Sequence, residues 1–229
     1  MAKTKTEEAK STQKSEGTSI GKIKEELGPL GFIGSIAGVI VLLGVVVVFF
    51  INRGKDSKNE AAQDELFQAV NYFEKDSLDL ALNGDGRNLG FLSVIDIYGG
   101  TSAANLANFY AGVIYLKQEQ PQFALDYLDN FSTSEKLVDA RAKSLKGDAY
   151  MELGQFSDAA SAYESAANRV DDKFYSPGYL LKAALAYEKF SDYDGALKAV
   201  TKIVDDYFGA SEYDVAKKHK ARLELLASR

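Results

Sequence analysis

The segment that decides the fold runs from Gly147 to Ala167 and reads GDAYMELGQFSDAASAYESAA. It places a glycine three residues before Tyr150 and an alanine, Ala159, nine residues after it. This is the spacing of a tetratricopeptide helix pair. Two antiparallel helices that cross at a short distance need Gly or Ala where they touch, and the tyrosine fills the space beside the crossing. The pattern therefore indicates helix packing and not catalysis.

The same spacing recurs once before and once after this segment, with tyrosines 35 and 37 residues apart. The three sets are Gly112, Tyr115 and Ala124; Gly147, Tyr150 and Ala159; and Ala184, Tyr187 and Ala196. We therefore predict repeats near residues 105–131, 140–167 and 177–203. Within the middle repeat, Gly147 and Ala159 are expected to form the contact between the two helices.

Two further segments complete the predicted helical domain, which covers residues 60–229. Glu60 to Leu82 is predicted as one long amphipathic helix, followed by an NGDGRN turn and a second helix from Leu89 to Tyr98. Together they give a divergent leading pair over residues 60–98. A terminal helix is predicted at 212–226, with His219 on a solvated face among lysines.

An uncharged apolar segment precedes this domain, from Leu30 to Ile51. Its 22 residues would span about 33 Å as a helix, against about 30 Å of hydrocarbon. A cleaved signal peptide is the alternative, but the stretch is longer than such a peptide needs and starts late in the chain. We predict an uncleaved single span at 30–51, a disordered tail at 1–29 and a linker at 52–59.

Lysine and arginine flank this span on both sides, so the charges closest to it give nearly equal support to either topology. The six lysines of the tail favour a cytoplasmic N-terminus, with the repeats across the membrane. Gly34 and Gly38 form a small-xxx-small pair, a candidate face for packing against another membrane helix. The alternative is that glycine is simply common in membrane helices.

Composition excludes several function classes. The chain has no Cys and one His, which removes thiol chemistry, histidine triads and multi-histidine zinc sites. The Asn83, Asp85 and Asn88 group lacks calcium-loop spacing, so we expect a glycine turn there. Residues 59–229 carry 18 basic and 27 acidic side chains, which opposes nucleic-acid binding. We expect no enzyme activity, no cofactor and no metal.

The first helix of each repeat is expected to line a concave face that binds protein partners. Its ends are predicted to be apolar and its centre polar. The candidate residues are Leu106, Phe109, Val113 and Leu116; Arg141, Ser144, Asp148 and Met151; and Leu181, Leu185 and Glu188. The alternative is that the leading and terminal helices cover this face themselves.

The whole layout resembles the YfgM-like tetratricopeptide proteins, ancillary subunits of the bacterial SecYEG translocon. The features that carry the resemblance are the short charged tail, the single span, the acidic repeats and the phrases NLANFYAGVIYL, GDAYMELGQFSDAASAYESAA and ALNGDG, which look like the version found in Bacteroidetes. The resemblance implies an inner-membrane protein with periplasmic repeats. It also implies association with SecYEG and a PpiD-like chaperone, assistance to secreted clients and no catalytic residues.

Two other functions remain open from the sequence. One is an envelope organiser or regulatory adaptor in cell division or outer-membrane assembly, where similar repeats occur. The other is an organelle import receptor with the opposite topology and cytosolic repeats. Each of these places the same kind of binding module beside a membrane, so the repeat pattern by itself does not separate them.

Overall fold

The computed structural model describes residues 57–227. The predicted tail (1–29), the span (30–51), most of the linker and the Gly34 and Gly38 pair lie outside the described residues. Among residues 57–227, no helix combines the length and the apolar character needed to cross a bilayer.

The described part of the chain consists of helices joined by short turns, which confirms the predicted all-α class for these residues. Its one extended feature is an isolated antiparallel bridge between Gly84 and Leu89. The helices are α1 (57–74), α2 (Leu78–Asn83), α3 (Phe91–Ile97), α4 (Ser102–Lys117), α5 (Pro121–Asp129), α6 (Lys136–Glu152), α7 (Phe156–Val170), α8 (Ser176–Lys189), α9 (Tyr193–Asp206) and α10 (Tyr213–Ala227).

Six of these helices form three consecutive pairs, α4 with α5, α6 with α7, and α8 with α9. Three residues join the helices within each pair, so the two helices run antiparallel and pack along each other. Each pair also packs on the next, through α5 with α6 and α7 with α8. This helical repeat arrangement is compatible with a tetratricopeptide-type protein.

Each pair has the same turn between its helices, and a fourth copy lies between α1 and α2. One residue of each turn has left-handed backbone geometry: Asp76, Glu119, Gly154 and Ser191, with φ of 55°, 57°, 72° and 64°. The next N–H donates to the carbonyl of a tyrosine five residues earlier: Tyr72, Tyr115, Tyr150 and Tyr187. This 6→1 hydrogen bond is that of a Schellman motif. The repeated tyrosine therefore marks the last turn of the first helix of each pair (α1, α4, α6 and α8), which we call the inner helix.

This turn corrects the prediction of one continuous helix from Glu60 to Leu82. The chain leaves the helix after residue 74, and the N–H of Ser77 donates to the carbonyl of Tyr72. Ala69 lies three residues before that tyrosine and Ala81 nine after it, and both are fully buried. The leading pair thus carries the same spacing as the other three, a signal that sequence reasoning missed.

The second half of the leading repeat is divided into α2 and α3 by a loop of residues 83–90. The carboxylate of Asp85 organises this loop, because it accepts hydrogen bonds from the Tyr72 hydroxyl at 2.7 Å and from the N–H groups of Arg87 and Asn88 at 2.8 and 2.7 Å. A Cβ on Gly90 would lie 2.2 Å from the carbonyl oxygen of Leu82. The loop can therefore close only with glycine at that position.

The contact at Gly147 also differs from the prediction. A Cβ at this glycine would lie 2.6 Å from Cε1 of Tyr163, so the tyrosine ring and not Ala159 occupies the notch. Gly112 meets Leu128 in the same way, again sixteen residues later in the chain. Ala159 is fully buried one helical turn before Tyr163. Because Tyr163 is the larger side chain, it needs the space that the missing Cβ leaves.

Candidate functional site

A groove between α4 and α6 brings together most of the central residues predicted for the concave face. Its volume is about 540 Å³. The predicted residues that line it are Val113, Leu116, Arg141, Asp148 and Met151. These side chains lie on one face of each helix because they follow helical spacing, at i and i+3 on α4 and at i, i+7 and i+10 on α6.

Sequence reasoning missed four residues that complete the groove: Lys117, Leu145, Glu152 and Tyr163. Leu145 is buried and forms its floor, whereas Val113, Leu116 and Met151 are half-buried and remain accessible from it. Leu145 lies four residues from Arg141, so the period of the inner helix could have found it. Tyr163 reaches the groove from α7, which only the packing of the pair decides.

The outer parts of the predicted face behave differently from its centre. Leu106 is on the surface of α4, and the ring of Phe109 packs against that of Phe131, with 5.1 Å between their centres. Leu181 is half-buried against the core of the last repeat, and Leu185 is an exposed residue of α8. None of these four residues lines the groove.

Ser144 is a correction to the predicted face. Its side chain is fully buried, and its Oγ has no hydrogen-bond partner among the described residues. Ser144 lies three residues after Arg141, which is exposed. Ser144 lies on the part of α6 that packs against neighbouring helices, so it offers nothing to a ligand.

Asp148 is held by two partners from neighbouring helices. The hydroxyl of Tyr163 donates to its Oδ1 at 2.7 Å, and Nζ of Lys182 lies 2.7 Å from the same oxygen. The ammonium group of Lys182 also lies 5.4 Å from the centre of the Tyr163 ring. Burial, and then the hydrogen bond to Asp148, raises the pKa of the Tyr163 hydroxyl. The network joins α6, α7 and α8 at the wall of the groove.

The rim of the groove carries both signs of charge. Burial, reinforced by the carboxylates of Glu119 and Asp148, raises the pKa of Glu152 above its ordinary value. Arg141 is exposed on the same helix, and Lys117 pairs with Asp76 at 2.7 Å. An apolar floor with a mixed-charge rim suits a polypeptide segment that offers apolar side chains flanked by charges.

The terminal helix covers one end of the predicted face. Arg222 of α10 donates to both carboxylate oxygens of Glu188 at 2.6 Å. His219 is half-buried, with Nδ1 3.8 Å from Oε1 of Glu188, and so does not lie on the solvated face predicted for it. Helix α10 therefore pairs with Glu188 but leaves the groove around Val113 and Met151 accessible.

The described residues hold no group of three or more His, Asp or Glu side chains arranged to bind a metal ion. Asp85, the best acidic candidate from the sequence, uses its carboxylate oxygens on four hydrogen bonds from Tyr72, Arg87 and Asn88. Compared with known proteins, the chain matches no family model and no curated protein.

Proposed function

We propose that the protein is a non-catalytic, membrane-anchored scaffold of tetratricopeptide type, and that the groove between α4 and α6 binds segments of partner proteins. The observation that carries this proposal is the groove itself. It is about 540 Å³ in volume, is built from the inner helices of two successive repeats, and keeps Val113, Leu116 and Met151 accessible. Inner-helix grooves are the surfaces that solenoids of this kind use for binding.

The chemistry of the groove favours a bound segment with two or three apolar side chains. Leu145 gives a buried floor, and Val113 and Met151 flank it from two helices. Methionine adapts its shape to different apolar partners, which suits a surface that accepts more than one sequence. Arg141 and Glu152 at the rim would set the direction of the bound segment through its charges.

The apolar segment at 30–51 supports the location that we propose. It would anchor the chain in the bacterial inner membrane, with the N-terminus in the cytoplasm and the repeats in the periplasm. The resemblance to YfgM-like proteins favours SecYEG, a PpiD-like chaperone and emerging secreted clients as partners. Tethering raises the local concentration of the groove beside such a machine, so weak contacts suffice.

A matched pair of variants tests the groove. Val113→Glu places a charge between the apolar groove residues, whereas Val215→Glu makes the same change on the exposed surface of α10. After gentle detergent extraction, we expect Val113→Glu to lose its co-purifying partners and Val215→Glu to keep them. Unchanged circular dichroism in both variants serves as the folding control. Partners retained by a folded Val113→Glu variant would exclude the groove.

Crosslinking identifies the partner class. A photoreactive amino acid in place of Met151 should give adducts with translocon subunits, the chaperone or secreted chains if the proposed assignment is correct. The same probe at Gly34 tests the membrane helix for a neighbouring helix. Adducts with division or outer-membrane assembly proteins only would assign the chain to the envelope organisers instead. A topology reporter fused after Arg229 distinguishes periplasmic from cytosolic repeats.

A further inference from the structure

The start of α1 shares one edge of the repeat domain with the loops that connect successive repeats. Nζ of Lys58 lies 3.4 Å from the carbonyl oxygen of Gly99, and the side-chain oxygen of Asn59 accepts hydrogen bonds from Ser102 and Ala103. These bonds place the starts of α1 and α4 together, and the helices from α4 to α10 alternate in direction, so α6, α8 and α10 also begin at this side. We call the loops at residues 98–101, 130–135, 171–175 and 207–212 the proximal edge.

The proximal edge presents the two most exposed large apolar side chains of the described residues. Phe174 is 74% exposed and Phe208 is 79% exposed. They belong to the loops before α8 and α10, which are adjacent, because Phe174 and Gly209 line one surface cavity of about 260 Å³. Isolated exposed apolar residues need no explanation, but here two exposed phenylalanines and the exposed Tyr175 lie on adjacent loops, and we call these three residues the patch.

Hydrogen bonds fix the backbone that carries these two rings. The carboxylate of Asp172 accepts from the N–H groups of Phe174 and Tyr175, both at 2.8 Å. The hydroxyl of Tyr207, the residue before Phe208, donates to Asp171 at 2.8 Å and so joins the two loops. The loop before α8 therefore has a defined backbone at Phe174, and the hydrogen bond from Tyr207 attaches the loop that carries Phe208 to it.

Lysines accompany these aromatic rings. Nζ of Lys173 lies 5.4 Å from the centre of the Phe174 ring. The ring of Phe208 contacts Tyr213 edge to face at 5.1 Å, and Nζ of Lys217 lies 5.6 Å from that tyrosine. Aromatic rings with lysines beside them are the combination that proteins place at the boundary between lipid and water, where the ring enters and the ammonium group stays hydrated.

The sequence before α1 limits how far this edge can lie from lipid. The apolar segment ends at Ile51, and α1 already includes residue 57. Even a fully extended chain between these two residues reaches only about 20 Å. Any chain anchored through residues 30–51 therefore carries the beginning of the proximal edge close to the membrane surface. This step rests on the anchoring in the proposed function.

We propose that the proximal edge docks on the lipid bilayer, with Phe174 and Phe208 inserted into the interface between headgroups and acyl chains. The anchor precedes α1 in the sequence, whereas this patch lies in the loops before α8 and α10, near the other end of the helix order. Contact at both ends would lay the domain along the membrane and hold the groove at a constant height above it. Tethering makes a weak interfacial contact sufficient, since the anchor keeps the local concentration of the patch at the membrane high.

The absence of tryptophan from the chain allows a direct test. In the full-length protein, Phe174→Trp and Phe208→Trp each introduce a single fluorescent reporter. The matched control is Phe123→Trp, an exposed phenylalanine at the start of α5, beside the turn at Glu119 on the opposite edge. Each variant is reconstituted into phosphatidylcholine vesicles, with or without bromine on the acyl chains, and flotation of the vesicles reports anchoring.

Docking predicts that brominated lipid quenches the Phe174→Trp and Phe208→Trp reporters several times more strongly than the Phe123→Trp reporter. Their emission should also shift to shorter wavelength. Chains that float but show equal, weak quenching at all three positions would overturn docking and leave the anchor intact, and the patch would then be a surface for a protein partner. Chains that do not float would overturn both docking and the proposed anchoring.

Discussion

The leading and middle repeats share the same inner-helix chemistry but differ in their second helix. In both, a small residue precedes a tyrosine by three positions, and that tyrosine accepts the hydrogen bond that closes the turn. The middle repeat continues into one helix, α7, whereas the leading repeat divides the equivalent segment into α2 and α3. The comparison shows that the inner helix and its turn define the repeat, while the outer helix tolerates an interruption.

The two repeats also use different side chains for their core. In the middle repeat, Tyr163 fills the notch at Gly147 and bonds to Asp148. In the leading repeat, Phe91 is fully buried and stacks on Tyr110 of α4, with 5.1 Å between the rings. A large side chain after the loop therefore restores the packing that the shortened α2 does not supply.

The largest predicted loss of stability comes from a substitution in the core of the leading repeat. Phe91→Ala removes a fully buried ring and its stacking contact with Tyr110, and we expect a loss of about 3–5 kcal/mol in the free energy of unfolding. The control is Phe67→Ala on α1, where the ring is 73% exposed and the change should stay within about 0.5 kcal/mol. Urea denaturation of the full chain in mild detergent measures both. Similar losses for the two variants would contradict the buried role of Phe91.

The next largest loss of stability is expected from a substitution in the middle repeat. Gly147→Leu overfills the notch beside Tyr163 and should cost about 1–3 kcal/mol. A Cβ at Gly178, also within a helix, would have its nearest neighbour at 3.6 Å, so Gly178→Ala should be neutral or stabilising by up to about 1 kcal/mol. The same denaturation assay compares them. An unchanged unfolding free energy in Gly147→Leu would mean that the helices do not cross there.

A smaller change in stability is expected from a substitution in the turn between α8 and α9. Ser191 has φ of 64°, a left-handed conformation that favours glycine, so Ser191→Gly should stabilise the domain by about 0.5–1 kcal/mol. Ser165→Gly is the control, because Ser165 lies within α7, where glycine should destabilise by a similar amount. Opposite shifts of the melting temperature are expected. A loss of stability in both variants would show that the turn does not require this conformation.

The smallest effect concerns the loop of the leading repeat. The N–H of Asn88, then the hydroxyl of Tyr72 and the N–H of Arg87, hold the pKa of Asp85 well below its usual range. The folded pKa is thus below the unfolded value of about 3.9, so the stabilisation is present above that pH and is lost as the pH falls below it. The acid limb of the stability profile should be flatter in Asp85→Asn. An identical limb would contradict this role.

Much of this fold could be predicted from spacing. The periodic glycines, alanines and tyrosines give the class, the three pairs and the position of the terminal helix, because each of these follows from which face of a helix is small or apolar. The break after residue 74 was missed because the apolar residues between Glu60 and Leu82 keep helical spacing across it. The spacing of Ala69, Tyr72 and Ala81 would have revealed it, since the tyrosine and not the glycine is the constant residue.

The groove was only partly predictable. The period of α6 identified Arg141, Asp148 and Met151, but it also included Ser144, which packing against neighbouring helices buries. Tyr163 lines the groove from the neighbouring helix α7, and Glu188 accepts a hydrogen bond from Arg222 of α10. Contacts between helices that are distant in sequence have no local signal, and so the pattern of one helix could not show them.

By itself the sequence determined that the region from residue 60 onward is helical and repeats, because the small residues and tyrosines recur with a period that only paired helices can bury. Tertiary structure decided which atoms fill each notch and which part of the concave face the terminal helix covers. It also decided which side chains lie together in the groove and at the proximal edge. The reason is physical. A period sets the face that a residue occupies, whereas the partner across that face depends on the packing of whole helices.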